Sequence, residues 1–193
     1  MATTDAVAAN KIDLEIVTPR GRALSALVDE VTAPSVAGEF GVLPGHLPLL
    51  AALRHGIVTY KEGSETKRVA VGSGFAEAGA NKLLILTDEY TERDKIDPVL
   101  VRKELAEVDE KIAKLETAPI TADAKPAPGT PRTGADAGAL KLLIARENWL
   151  AVQLELYGDP PPATMRPFEE FGPPPPPPED EVPSGDSGGG PSK

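Results

Sequence analysis

The chain has 193 residues, with 20 Lys and Arg against 30 Asp and Glu, giving a net charge of −10 at pH 7. That acidity argues against nucleic acid or an anionic bilayer as a direct partner, since both are held by clustered basic side chains that displace counterions. The lack of cysteine excludes disulfides, thiolate metal sites and cysteine nucleophiles. No apolar stretch approaches the ~20 residues of a membrane span, and Met1 to Asn10 lacks the basic start and apolar core of a secretory signal. A soluble protein without a signal peptide is expected.

Short strands are predicted first. Ile12, Leu14 and Ile16 alternate with Asp13 and Glu15, which puts three large apolar side chains on one face of a half-buried strand. Val28 and Val31, flanking Asp29 and Glu30, suggest a less regular one. The β-branched segments Ile57 to Lys61 and Thr66 to Val71 flank Glu62-Gly63-Ser64-Glu65 and read as a hairpin, with Gly63 free to take a positive φ. Leu83 to Leu86 is a continuous apolar run, as expected of a strand covered on both faces. With glycines recurring between them, these segments predict an antiparallel β-sandwich over residues 11–95.

At Asp97-Pro98 the period changes to that of a helix. Asp97 can accept from the free amides of a first turn, and Pro98 suits the first helical position. Val101, Leu105, Val108, Ile112 and Leu115 then recur at spacings of 3 and 4 and form an apolar seam. A second helix is predicted from about Ala139 to Tyr157, with Leu140, Leu143, Leu150, Leu154 and Tyr157 on one side and Trp149, Val152 and Leu156 on another. Two apolar faces require two partners, so an antiparallel helical hairpin over 96–157 is expected, its leftover surface turned to the sandwich or another subunit. Residues 117–138 read as a linker within it. Of 21 prolines, 16 follow Glu116, and the run Pro173 to Pro178 predicts a disordered acidic tail over 158–193, polyproline in part. The fold class is therefore α+β: β-sandwich, two-helix hairpin, then a Pro/Gly-rich tail.

The search for chemistry finds no catalytic constellation. Gly72-Ser73-Gly74 lacks the third glycine and the following helix of a dinucleotide fingerprint. His46 and His55 are too few and too close to turns for a histidine-rich zinc site, so no metal is assigned. Asp29-Glu30 and Asp88-Glu89 read as solvated pairs, because adjacent strand residues point to opposite faces. What stands out is Gly38-Glu39-Phe40-Gly41-Val42-Leu43-Pro44-Gly45-His46, a tight turn carrying apolar residues. Phe40, Val42 and Leu43 either plug the end of the sandwich or form a protein contact.

That segment resembles the Gly-Glu-x-Gly-(apolar)-x-Pro-Gly-His loop of the epsilon subunit family of bacterial F-type ATP synthases. The opening strand Leu14 to Pro19, Gly72-Ser73-Gly74-Phe75 and the Ile96-Asp97 junction are also similar to that family. The resemblance implies a non-catalytic, cofactor-free part of the central stalk, whose partners are the gamma subunit and the c-ring, and the catalytic head when the helices extend. It implies that Glu39 contacts a c-ring loop, with Phe40, Gly41, Val42, Pro44, Gly45 and His46 forming the contact surface. The Val101, Leu105, Val108, Ile112 and Leu115 seam, with Lys141 and Arg146, would then serve as regulatory helices that modulate ATP hydrolysis.

The family's ATP-binding motif, Ile/Leu-Asp-x-x-Arg-Ala, matches here at Ile96 and Asp97, but Leu100 stands at the arginine. With no donor there for phosphate, weak or absent regulatory ATP binding is expected unless Arg102 compensates. The implied location is the cytoplasmic face of a bacterial inner membrane, reached only through the complex. A β-sandwich adaptor or binding module unrelated to this family is the alternative, though neither a carbohydrate binder nor a small hydrolase accounts for the helices.

Overall fold

The computed structural model describes residues 10–117 and 134–159. Most of the expected linker and the proline-rich tail from residue 160 onward lie outside the described residues. Ten strands make one folded-over sheet: β1 (Ile12–Thr18), β2 (Gly21–Val28), β3 (Glu30–Ser35), β4 (Gly38–Val42), β5 (Leu49–Leu53), β6 (Gly56–Glu62), β7 (Glu65–Val71), β8 (Gly74–Ala78), β9 (Lys82–Thr87) and β10 (Tyr90–Glu92). Their order is β10-β7-β6-β3-β5-β8-β9-β1-β2, with β4 on β3.

Alternation builds the sandwich core. Ile12, Leu14 and Ile16 of β1 point inward with Val31 and Ala33, Val58 and Tyr60, Val69 and Val71, Ala76 and Ala78, and Leu83 and Ile85. The sheet folds over at β3, which pairs with β6 up to Thr32↔Thr59 and with β5 at Ser35↔Leu53. Pro34, with no N–H to donate, falls in the gap between those two ladders. The expected hairpin of β6 and β7 is present, closing at Glu62↔Glu65.

Two features depart from the sequence reading. β1 and β9 pair in parallel, Leu14 opposite Leu83 and Ile16 opposite Ile85, while the other ladders run antiparallel. The run Leu83 to Leu86 is covered on one face only: Leu83 and Ile85 are fully buried, but Leu86 is 48% exposed. Among the described residues no helix covers that side, since the helices of the chain pack on β6 and β7 instead.

After a 3₁₀ turn at Arg93–Lys95 come α1 (Pro98–Thr117) and α2 (Gly134–Tyr157), the latter beginning about a turn earlier than expected. Asp97 caps α1 as predicted, its Oδ1 accepting from the N–H of Val99 at 3.0 Å and of Leu100 at 3.3 Å. Val101, Val108 and Ile112 of α1 pack with Trp149, Leu150, Val152, Leu154 and Leu156 of α2 in a second core. Ala70 of β7, Ile96 and half-buried Ile57 of β6 complete it, so the leftover apolar surface of α2 is indeed turned to the sandwich. Tyr157, expected on the buried side, is instead over a third exposed beneath the Arg93 guanidinium, 5.8 Å from the ring centre.

Candidate functional site

The segment singled out by sequence divides into a strand and a bend. Gly38 to Val42 is β4, paired along β3 with Glu39 opposite Pro34. The turn proper is Leu43 to His46, where the His46 N–H donates to Leu43 O at 3.0 Å and Gly45 has φ 84. That is a type II turn, with Pro44 pre-setting φ and glycine required one position on. The Gly45 N–H also donates to Ala80 O, which pins the bend to the β8–β9 connection. His46 Nδ1 lies 2.6 Å from Leu47 O, so that nitrogen carries the proton and the ring is tied to its own main chain.

Of the two expectations for this segment, burial bears out the plug for part of it. Val42 is fully buried and Phe40 is half-buried against the sandwich core, so these two plug the end. Glu39 and Gly41 are exposed, and the apolar side chains presented to solvent are Leu43, Leu47 and Leu50, with Leu47 79% exposed. Sequence reasoning missed Leu47 and Leu50 as surface groups because Leu-Pro-Leu-Leu reads as an apolar run with no visible period.

The bend continues into a second surface that was also missed. Register places Ala52, Phe75, Leu86 and Val17 side by side across β5, β8, β9 and β1 on the outer face. Leu50, Glu77, Leu84 and Glu15 form the adjoining row. Phe75 is 57% exposed, and with Leu50 and Leu86 it makes a contiguous apolar patch bounded by carboxylates. Glu15 on that rim is paired with Lys82 at 3.0 Å and Arg22 at 3.3 Å, and the hydrogen bond from Lys82 holds its carboxyl below the usual range. Exposed apolar patches of this kind are a common feature of interaction surfaces.

Of the residues expected to act in regulatory helices, Val101, Val108 and Ile112 are buried in the second core against α2, with Leu105 and Leu115 half-buried. Lys141 is exposed on α2. Arg146 is turned inward, bonding Glu104 of α1 and Glu89 in the β9–β10 bend. Burial pushes the Glu89 carboxyl up, opposed by Arg146 and reinforced by Asp88. Asp88 and Glu89 do not diverge as strand neighbours would, because they occupy a bend, and a carboxylate oxygen of each comes within 4.8 Å of a ring nitrogen of His55. His55 itself is buried beside Trp149, ring centres 6.4 Å apart. Of the residues matching the ATP motif, Ile96 is buried in the second core and Asp97 caps α1, while Arg102, the candidate to compensate for Leu100, pairs with Asp159 just past the end of α2.

Residues 11–93 match the family model described as ATP synthase, Delta/Epsilon chain, beta-sandwich domain. The chain is 38% identical over 110 residues to an ATP synthase epsilon chain 2 of Syntrophotalea carbinolica, a match covering 57% of this chain and 80% of that one. It is 41% identical over 105 residues to an ATP synthase epsilon chain of Nitratidesulfovibrio vulgaris, covering 54% and 78% respectively. Its fold is similar to a chain of the Euglena gracilis mitochondrial ATP synthase OSCP/F1/c-ring structure, with TM-score 0.57 and 22% identity over 75% of this chain and 82% of that one.

Proposed function

The chain belongs to the delta/epsilon family of ATP synthase subunits, and from that premise we propose that its Leu43–Leu50 bend and the adjoining outer sheet face are the surfaces that build it into the rotor. It is a non-catalytic central-stalk subunit and works as part of a membrane-associated complex. Among the described residues no helix is long and apolar enough to cross a membrane. Our reading places it at the cytoplasmic face of a bacterial inner membrane, supported by the bacterial origin of its relatives.

One observation carries the reading: beyond the bend, exposed apolar side chains of three strands, Leu50, Phe75 and Leu86, lie on the outer face of the sheet, away from the strands that α2 covers. The patch of Leu50, Phe75 and Leu86 suits the gamma subunit, where a lasting rotor contact needs desolvated apolar area. The bend, with Glu39 and His46 beside Leu43 and Leu47, suits a polar loop of the c-ring, where shape and one charge set the register. Exposed charge pairs are worth little by themselves, so Glu39 contributes orientation more than affinity.

The helices are docked on the sandwich, and their regulatory action on ATP hydrolysis requires release of that seam. We further propose that regulatory ATP is bound weakly or not at all, since Leu100 offers no donor while Asp97 and Arg102 are already engaged within the fold.

Co-purification with gamma and c-ring subunits tests the rotor reading. Phe75→Glu should lose gamma, and Glu39→Arg combined with Leu47→Glu should lose the c-ring, with the Tm of the isolated chain unchanged. Retention of both partners by all of these variants would overturn the assignment of these surfaces.

A further inference from the structure

We propose that His55, Asp88 and Glu89 form a binding site for a divalent transition-metal cation of the zinc class, at the seam between the sandwich and α2. One ligand atom from each residue lies within 4.8 Å of the others. Donor atoms at about 2 Å from a shared Zn2+ stand about 3.3 Å apart, so an approach of at most roughly 1.5 Å between the donors closes the set. An imidazole nitrogen with two carboxylates is the mixed donor set that zinc and cobalt accept, whereas magnesium and calcium favour oxygen alone.

One observation points to a ligand, and two more suit a cation. His55 is 8% exposed, and among the described residues its buried Nδ1 has no hydrogen-bond partner. A buried nitrogen left without a partner is costly, and a cation would satisfy it. Asp88 is held in place from behind: its Oδ2 accepts from Ser73 Oγ at 2.9 Å, and its Oδ1 lies over Gly72, where any Cβ would overlap it. Such outer contacts orient a carboxylate for a metal. The local charge also balances. Arg146 is shared by Glu104 and Glu89, so the three carboxylates and one guanidinium leave two negative charges beside a neutral imidazole. Glu89 Oε1 is the atom that meets Arg146, which leaves Oε2 for a cation, while exposed Asp88 gives water access to the remaining coordination positions.

A cation here would clamp the entry to β6 onto the β9–β10 bend directly beneath Trp149 and Arg146. The site concerns the floor on which α2 rests and does not depend on the rotor contacts proposed above.

The untagged full-length chain is titrated with Zn2+ by calorimetry and with Co2+ by visible absorption and NMR. One equivalent is expected to bind at micromolar concentration, with paramagnetic broadening centred on His55 and on residues 88 and 89. Asp88→Asn, nearly isosteric at an exposed position, should weaken binding by at least about tenfold. Glu89→Gln should do likewise, and His46→Ala should leave metal binding unchanged. Absence of binding below millimolar metal, unchanged binding in Asp88→Asn, or loss of binding in His46→Ala would each overturn the site.

Discussion

Arg146 of α2 donates through Nη1 to Glu89 Oε1 at 3.2 Å, joining the second helix to the β9–β10 bend across 57 residues of sequence. Its Nε reaches Glu104 Oε1 at 2.8 Å, so one guanidinium holds both helices and the sandwich together. Arg146→Gln keeps the length of the side chain but removes the charge. Because the groups are more than a third exposed, the pair network is worth only about 1 kcal/mol. Amide exchange in α2 should therefore quicken several-fold, with β1 and β9 amides unaffected.

Leu150 lies in the second core and is 1% exposed, so Leu150→Ala leaves a cavity. The cost expected is about 3 kcal/mol. Trp149 is the single tryptophan and sits in that same core, so its fluorescence reports helix docking selectively. In urea the Leu150→Ala protein should show a Trp149 transition at lower denaturant than the strand signal followed by circular dichroism.

Gly45 and Gly41 bracket the exposed turn but differ in backbone demand. Gly45 sits at φ 84, where an L side chain costs about 1–2 kcal/mol, whereas Gly41 has no positive φ and open space around its Cα. Gly45→Ala should lower the thermal midpoint by several degrees, and Gly41→Ala should leave it within error.

Asp29 closes one end of the sandwich, its Oδ1 paired with Lys11 at 2.7 Å and its Oδ2 accepting from the Gly63 N–H at 2.7 Å. These partners, Lys11 first, hold its carboxyl below the usual range. Since the folded value is depressed, the stabilisation is present above the unfolded value of about 4 and is lost as pH falls through the folded one. Asp29→Asn should thus lower stability at neutral pH and flatten the loss of stability below about pH 4. Urea midpoints measured at neutral and at acid pH check the sign.

Much of this architecture was legible from local pattern. The alternation of Ile12, Leu14 and Ile16, the Asp97-Pro98 helix start and the Pro44-Gly45 turn are each decided by a few neighbouring residues, and each appears in the fold. What escaped depends on pairing between distant segments. Phe75 and Leu86 become one surface only when β8 and β9 align, and the unbroken run Leu83 to Leu86 conceals which of its members face outward. Arg146 read as a helix cation because nothing near it in sequence reveals Glu89. Asp88 and Glu89 read as a solvated pair because nothing near them in sequence reveals that their bend meets His55.

Strand β7 sends Val69 and Val71 into the sandwich and Ala70 between them into the helical layer. Departure of the helices would therefore bare a methyl group there and the flank of Ile57, while most of the newly wetted hydrocarbon would belong to α1 and α2 themselves. The barrel wall can lose its cover at little cost. The travelling arm cannot, and must find another greasy berth before it lets go for long.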